Sequence, residues 1–142
     1  MKKIICLATA LMCLCGVSIA KCPAPENVQK NFNAKFPTAQ DVEWSKENSA
    51  EYEVEFEIGG QEYSANFSVS GEWLETESPI SFDKLPQLVQ DAFKSSHPSA
   101  EVEAVNIIEN SSGKINYEIE IEKWLWTSEV YYTSGGIELK DN

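Results

Sequence analysis

The sequence of 142 residues predicts an α+β fold: a tandem repeat of a helix followed by a four-stranded antiparallel meander, with both helices packed on one sheet face. Three observations carry that expectation. Short stretches place apolar residues three and four apart, longer stretches alternate apolar and acidic residues, and the whole pattern occurs twice. Val28, Gln29, Phe32, Phe36, Pro37, Thr38 and Ala39 recur as Val89, Gln90, Phe93, His97, Pro98, Ser99 and Ala100. Tyr52-Glu53-Val54-Glu55-Phe56-Glu57 recurs as Tyr117-Glu118-Ile119-Glu120-Ile121-Glu122, and Gly71 with Leu74 maps onto Gly136 with Leu139.

The first segment stands apart from this repeat. Lys2 and Lys3 precede an apolar run from Ile4 to Ile19, and the small residues Ser18 and Ala20 occupy the minus-three and minus-one places of a cleavage site. Residues 1–20 are therefore expected to be a signal peptide cleaved near Ala20, sending the protein to the periplasm or outside the cell. The apolar run falls short of the roughly 20 residues that span a bilayer. Residues 21–142 remain as one domain of two repeats, about 24–78 and 82–142. Cys6, Cys13 and Cys15 leave with the signal, so Cys22 is alone and no internal disulfide is expected. A thiol beside a cleavage site is a possible lipidation site and would tie the protein to a membrane, although Lys21 stands where lipoprotein processing favours Gly, Ala or Ser.

Within the first repeat, Val28, Phe32 and Phe36 share a helical face, and Pro37 ends the helix because the residue before proline is pushed out of the α region. Tyr52, Val54, Phe56 and Ile58 then alternate with Glu51, Glu53, Glu55 and Glu57, the period of a strand with one face buried. Gly59-Gly60 supplies the positive φ angles of a tight hairpin, Tyr63, Ala65, Phe67 and Val69 return, and Ser70-Gly71 turns before Trp73. In the second repeat, Leu85, Leu88, Val89 and Phe93 give the helical face, with Asp83 as its cap and Pro86 in the first turn. Its strands are expected over about 102–109, 115–122, 125–133 and 137–140. The two four-stranded units form either one continuous sheet or two facing sheets.

The net charge is −12 with no arginine, and losing Lys2 and Lys3 makes the mature chain more acidic still. Such a surface repels phosphate backbones and lacks the arginine forks that read bases, which excludes nucleic-acid binding. No catalytic constellation is legible. His97 is the only histidine, and its counterpart Phe36 marks the position as one of packing. One histidine and one mature cysteine cannot make a zinc site, and no cofactor or metal is expected. Glu53, Glu55, Glu118 and Glu120 are expected on the solvent face of adjacent strands, either as a solvated ladder or as oxygen ligands for a hard cation such as calcium, although no calcium-loop motif is present. Trp124 and Trp126 fall where the first repeat has its Gly59-Gly60 turn, with Tyr131 and Tyr132 following on the same strand. The Trp pair either plugs the seam between repeats or forms an exposed patch for a partner.

Phe36-Pro37-Thr38-Ala39, Val42-Glu43-Trp44, Tyr52-Glu53-Val54-Glu55-Phe56 and Gly71-Glu72-Trp73 together resemble the PepSY-like, β-lactamase-inhibitor-like periplasmic proteins common in Bacteroidetes. The resemblance spans essentially all of the mature chain. It implies a tandem helix-and-sheet repeat, an exported location and no established enzymatic activity. The second repeat departs from the pattern, with His97 in place of the aromatic before proline and no Trp at the place of Trp44.

The expectation is thus an exported, non-enzymatic binding or inhibitor-like protein that engages a protein or peptide in the periplasm. Trp124, Trp126, Tyr131, Glu53, Glu55, Glu118 and Glu120 are its candidate contact residues. The alternative is a periplasmic carrier of a small molecule or calcium that uses the acidic sheet face.

Overall fold

The computed structural model describes residues 23–123 and 126–140. Trp124, Cys22 and the expected signal peptide lie outside the described residues. Each repeat begins with a short helix, α1 at Glu26–Lys35 and α2 at Gln87–Ser96. Both start after a proline, Pro25 or Pro86, whose carbonyl accepts the first helical hydrogen bonds. No side chain caps either helix. Asp83 therefore does not cap α2; it lies in a 3-10 turn, Phe82–Lys84, one turn too early. Equivalent glutamines fasten the entries instead: Gln29 Nε2 donates to the Ala24 carbonyl at 2.6 Å and Gln90 Nε2 to the Leu85 carbonyl at 2.9 Å. Each helix ends before its Pro37 or Pro98, as the restricted pre-proline backbone requires.

The strands are β1 (Gln40–Lys46), β2 (Glu51–Ile58), β3 (Gln61–Ser68), β4 (Trp73–Pro79), β5 (Glu101–Asn110), β6 (Ile115–Lys123), β7 (Trp126–Thr133) and β8 (Glu138–Leu139). They form one eight-stranded antiparallel sheet in chain order. The two meanders merge through β4 and β5, from Glu75↔Asn110 to Pro79↔Asn106. Hairpin geometry follows glycine: Gly59 and Gly60 take φ of 63° and 84°, values that a side chain disfavours.

Strand alternation puts most of the apolar residues on the face that carries the helices; Ile108 of β5 and Leu139 of β8 lie on the other. Under α1, Val28 and Phe32 pack on Tyr52, Val54, Phe56, Ala65 and Phe67; under α2, Val89 and Phe93 pack on Val105, Tyr117, Ile119, Ile121 and Tyr132. The first core is aromatic: the Phe32 ring meets Trp44, Phe56 and Phe67 at centroid distances of 5.4, 5.1 and 6.1 Å. Burying one such ring contributes roughly 1.5–3 kcal/mol relative to exposure. Leu88, expected on the buried face, is exposed. It caps the turn before β8 instead, where a Cβ on Gly136 would stand 2.5 Å from the Leu88 carbonyl oxygen. The equivalent turn at Gly71 is tied to α1, because Asn31 Nδ2 donates to the Gly71 carbonyl at 2.8 Å.

Candidate functional site

The opposite face of the sheet carries no helix among the described residues, and the register composes it residue by residue. One row runs Ser45, Glu53, Asn66, Glu75 across β1 to β4. A second runs Pro79, Asn106, Glu118, Tyr131, Leu139 across β4 to β8. Between them lie Glu55, Ser64, Glu77, Ile108 and Asn116.

This face was expected to be a solvated ladder, and it is not. Glu53, Ser64, Asn66, Glu77, Asn106, Glu118 and Glu120 are buried; Glu118 is only 1% exposed and Asn106 2%. Only Glu55 of the four expected ladder residues is exposed. Burial without a covering helix means that the side chains of neighbouring strands close over one another on this face. The register shifts at Gln40/Glu43, Asn66/Phe67 and Val102/Ala104, where bulges locally increase the strand twist.

Crowded carboxyl groups resist ionisation. Burial pushes the Glu118 carboxyl up to about 9, helped by the nearby charges of Glu77, Glu129, Glu120 and Glu75. Its repeat counterpart Glu53 is pushed up to about 7, first by burial and then by Glu55 and Glu47, against a hydrogen bond from Ser45 Oγ. Burial also raises Glu55 and Glu120, with Glu43 adding to the first and Glu129 to the second. The Tyr131 hydroxyl donates to Glu129 Oε2 at 2.7 Å and, being buried among carboxylates, is held protonated. Among the described residues, Glu53 Oε1, Glu118 Oε2, Ser64 Oγ, Asn106 Nδ2 and Asn116 Oδ1 are buried with no hydrogen-bond partner. Unmet polar atoms of this kind are scarce in folded proteins and mark places that a ligand, partner or water completes.

The candidate residues therefore divide. Glu53, Glu55, Glu118, Glu120 and Tyr131 share the helix-free face. Trp126 has the parity of Val130 and Tyr132, on the helix side, and stands 65% exposed at the turn end of the β6–β7 hairpin, where it pairs with Lys123. It does not fill the seam between repeats, which runs along β4 and β5. Sequence reasoning missed Asn106, Asn116, Ser64 and Glu77; the signal for them was parity with Glu118 and Glu55 once the register is known.

Two further places hold polar groups. His97 stacks on Phe93 with centroids 5.3 Å apart, and its Nε2 lies 3.3 Å from Glu138 Oε2, which also accepts from the Tyr132 hydroxyl at 3.1 Å. That contact ties β8 to α2. A cleft of about 250 Å³ opens among Asp41, Glu43, Glu55, Glu57, Glu62, Phe56 and Tyr63. No group of three or more His, Cys, Asp or Glu side chains among the described residues is placed to hold a metal ion. Among them, too, no helix is long and apolar enough to cross a membrane.

A doubled helix-and-meander unit, joined into one sheet with a polar helix-free face, defines the class of protein. The chain belongs to the family described as "Putative beta-lactamase-inhibitor-like, PepSY-like", whose model matches residues 17–62 and again residues 50–140. Among solved structures it is similar to a DUF2874 family protein from Bacteroides ovatus, at 29% identity and a TM-score of 0.70 over 83% of this chain and 86% of that one. Two others share the fold. One is described as "putative periplasmic proteins" from Bacteroides eggerthii (24% identity, TM-score 0.74, 83% and 87% covered), the other as a BLIP-like protein from Bacteroides fragilis (24%, 0.66, 87% and 88%). No curated protein matches this chain.

Proposed function

We propose that this protein is a non-enzymatic, inhibitor-like binding protein of the periplasm that engages a protein or peptide through the helix-free face of its sheet. The observation that carries the reading is the row of buried, unpartnered polar atoms on a face that neither described helix covers. A sheet face that is already partly stripped of water loses less solvation when a second protein settles on it. The description of relatives as periplasmic and BLIP-like agrees with export and with protein binding.

The test is site-resolved crosslinking in cells. A photo-crosslinking amino acid in place of Tyr131 is expected to give a discrete adduct, and the same group in place of Leu88 on the helix side is expected to give none. Absence of an adduct at Tyr131, or identical adducts at both places, would contradict the assignment of this face.

A further inference from the structure

We propose that the helix-free face holds, at Glu118, a socket for an arginine side chain of the protein partner, with Asn116 and Tyr131 flanking the guanidinium and Asn106 steadying the carboxylate. The inference rests on the reading that this face binds a protein, and it names the chemistry of what enters.

The socket is assembled by three adjacent strands. Glu118 and Asn116 stand two residues apart on β6, hence on one face and about 7 Å apart along the strand. Each presents a buried acceptor without a partner, Glu118 Oε2 and Asn116 Oδ1. Asn106 is directly across from Glu118 on β5 and Tyr131 directly across on β7. Asn106 supplies an independent sign of incompleteness: it is 2% exposed, and its Nδ2 donor is unpartnered although it is the cross-strand neighbour of an unpartnered carboxylate oxygen. An arriving donor that ionises Glu118 gives that carboxylate enough acceptor capacity for both the ligand and Asn106.

Charge complementarity selects the occupant. Glu75 and Glu77 on β4, Glu120 on β6 and Glu129 on β7 all act on Glu118 in the direction that a cation would reverse. The chain contains no arginine and has a net charge of −12. Lys35, Lys46 and Lys94 lie over aromatic rings on the helix side. A metal ion is a poor occupant, since no three ligating side chains among the described residues converge. A guanidinium is planar, weakly hydrated and rich in donors, which suits a desolvated carboxylate beside a carboxamide oxygen and a phenol ring.

Proton linkage gives the socket a signature that surface attraction lacks. In the free protein Glu118 holds its proton, and a bound guanidinium expels it. Affinity therefore rises as pH increases from 7 toward 9, by up to about tenfold per pH unit, while arginine stays charged throughout.

The experiment is isothermal calorimetry of the mature chain with acetyl-(Gly-Arg)3-amide, and with the same peptide carrying neutral citrulline for arginine, in buffers of differing ionisation enthalpy. The expected result is selective binding of the arginine peptide, tighter at pH 9 than at pH 7, with release of about one proton per socket filled at pH 7. Glu118→Gln is expected to lose roughly tenfold or more in affinity at pH 9 together with the proton release, whereas Glu109→Gln, an exposed acid on the helix side, changes little. No binding, equal binding of the citrulline peptide, or binding without proton release overturns the inference, and the last reading needs no variant to fold. A chain that fails these tests yet still crosslinks through Tyr131 loses the arginine socket and keeps the binding face; a chain that crosslinks at neither place loses both.

Discussion

Replacing Glu118 by Gln should stabilise the free protein at neutral pH. The carboxyl of Glu118 is 1% exposed and pushed up to about 9, from 4.5 for an ordinary glutamate. A carboxyl whose folded value is raised favours folding below its unfolded value, and that contribution is lost as pH rises toward the folded one. Between pH 4.5 and pH 7 the loss accumulates at about 1.4 kcal/mol per pH unit, on the order of 3 kcal/mol in all. A glutamine keeps the shape and the hydrogen-bonding capacity without the titration. Urea unfolding of both proteins from pH 4 to pH 9 is therefore expected to show nearly equal stability at pH 4. At pH 7 the variant should lead by about 2–3 kcal/mol, or roughly 10 °C in melting temperature for a domain of this size. A wild-type protein whose stability is flat across this range, or a variant that is weaker at pH 7 by more than its change at pH 4, would refute the reasoning.

Glu53→Gln should act with the same sign, but the pH dependence that it removes levels off near pH 7 rather than near 9, because Glu53 is pushed up only to about 7; the same urea series reads this. Phe32→Ala removes the ring against which Trp44, Phe56 and Phe67 pack and should cost about 3–5 kcal/mol, read as a fall in the urea midpoint. Gly136→Ala forces a Cβ to within 2.5 Å of the Leu88 carbonyl oxygen at a φ of 78°, and should destabilise by more than about 1 kcal/mol. The same change at Gly59, with φ of 63° and open space around it, should cost less. Trp126→Ala should leave thermal stability within about 0.5 kcal/mol, because the ring is exposed at a hairpin end.

The architecture was legible because each element announces itself locally. Phe32 and Phe93 sit at helical spacing before a proline, and the Tyr-Glu-Val-Glu-Phe alternation fixes which side chains face the helices. Recurrence of the pattern doubled the signal. Strand periodicity does not report how two four-stranded units join, because the β4–β5 pairing depends on long-range register; the sequence left a continuous sheet and facing sheets equally open. Leu88 was misplaced because helical spacing alone does not say where the apolar stripe ends, and Leu88 lies outside the core beside the turn at Gly136.

The candidate face was half legible. Alternation correctly separates Glu53, Glu55, Glu118 and Glu120 from the apolar set, but it does not report how closely the side chains of neighbouring strands cover one another, and Glu118 is buried while Glu55 is exposed. Asn106 and Ser64 carry no charge and no motif, so nothing in the sequence marks them until the register places them beside carboxylates. Trp126 drew attention as a bulky aromatic at a turn, yet its parity sets it on the other side of the sheet from Tyr131.

The most direct test of a desolvated, incomplete polar face is a site-resolved carboxyl titration of the free protein by carbon NMR. Glu118 is predicted to remain protonated through neutral pH and to titrate near 9, with Glu53 near 7. Titration of both groups around 4.5 would mean that the helix-free face is an ordinary solvated surface, and would contradict the account.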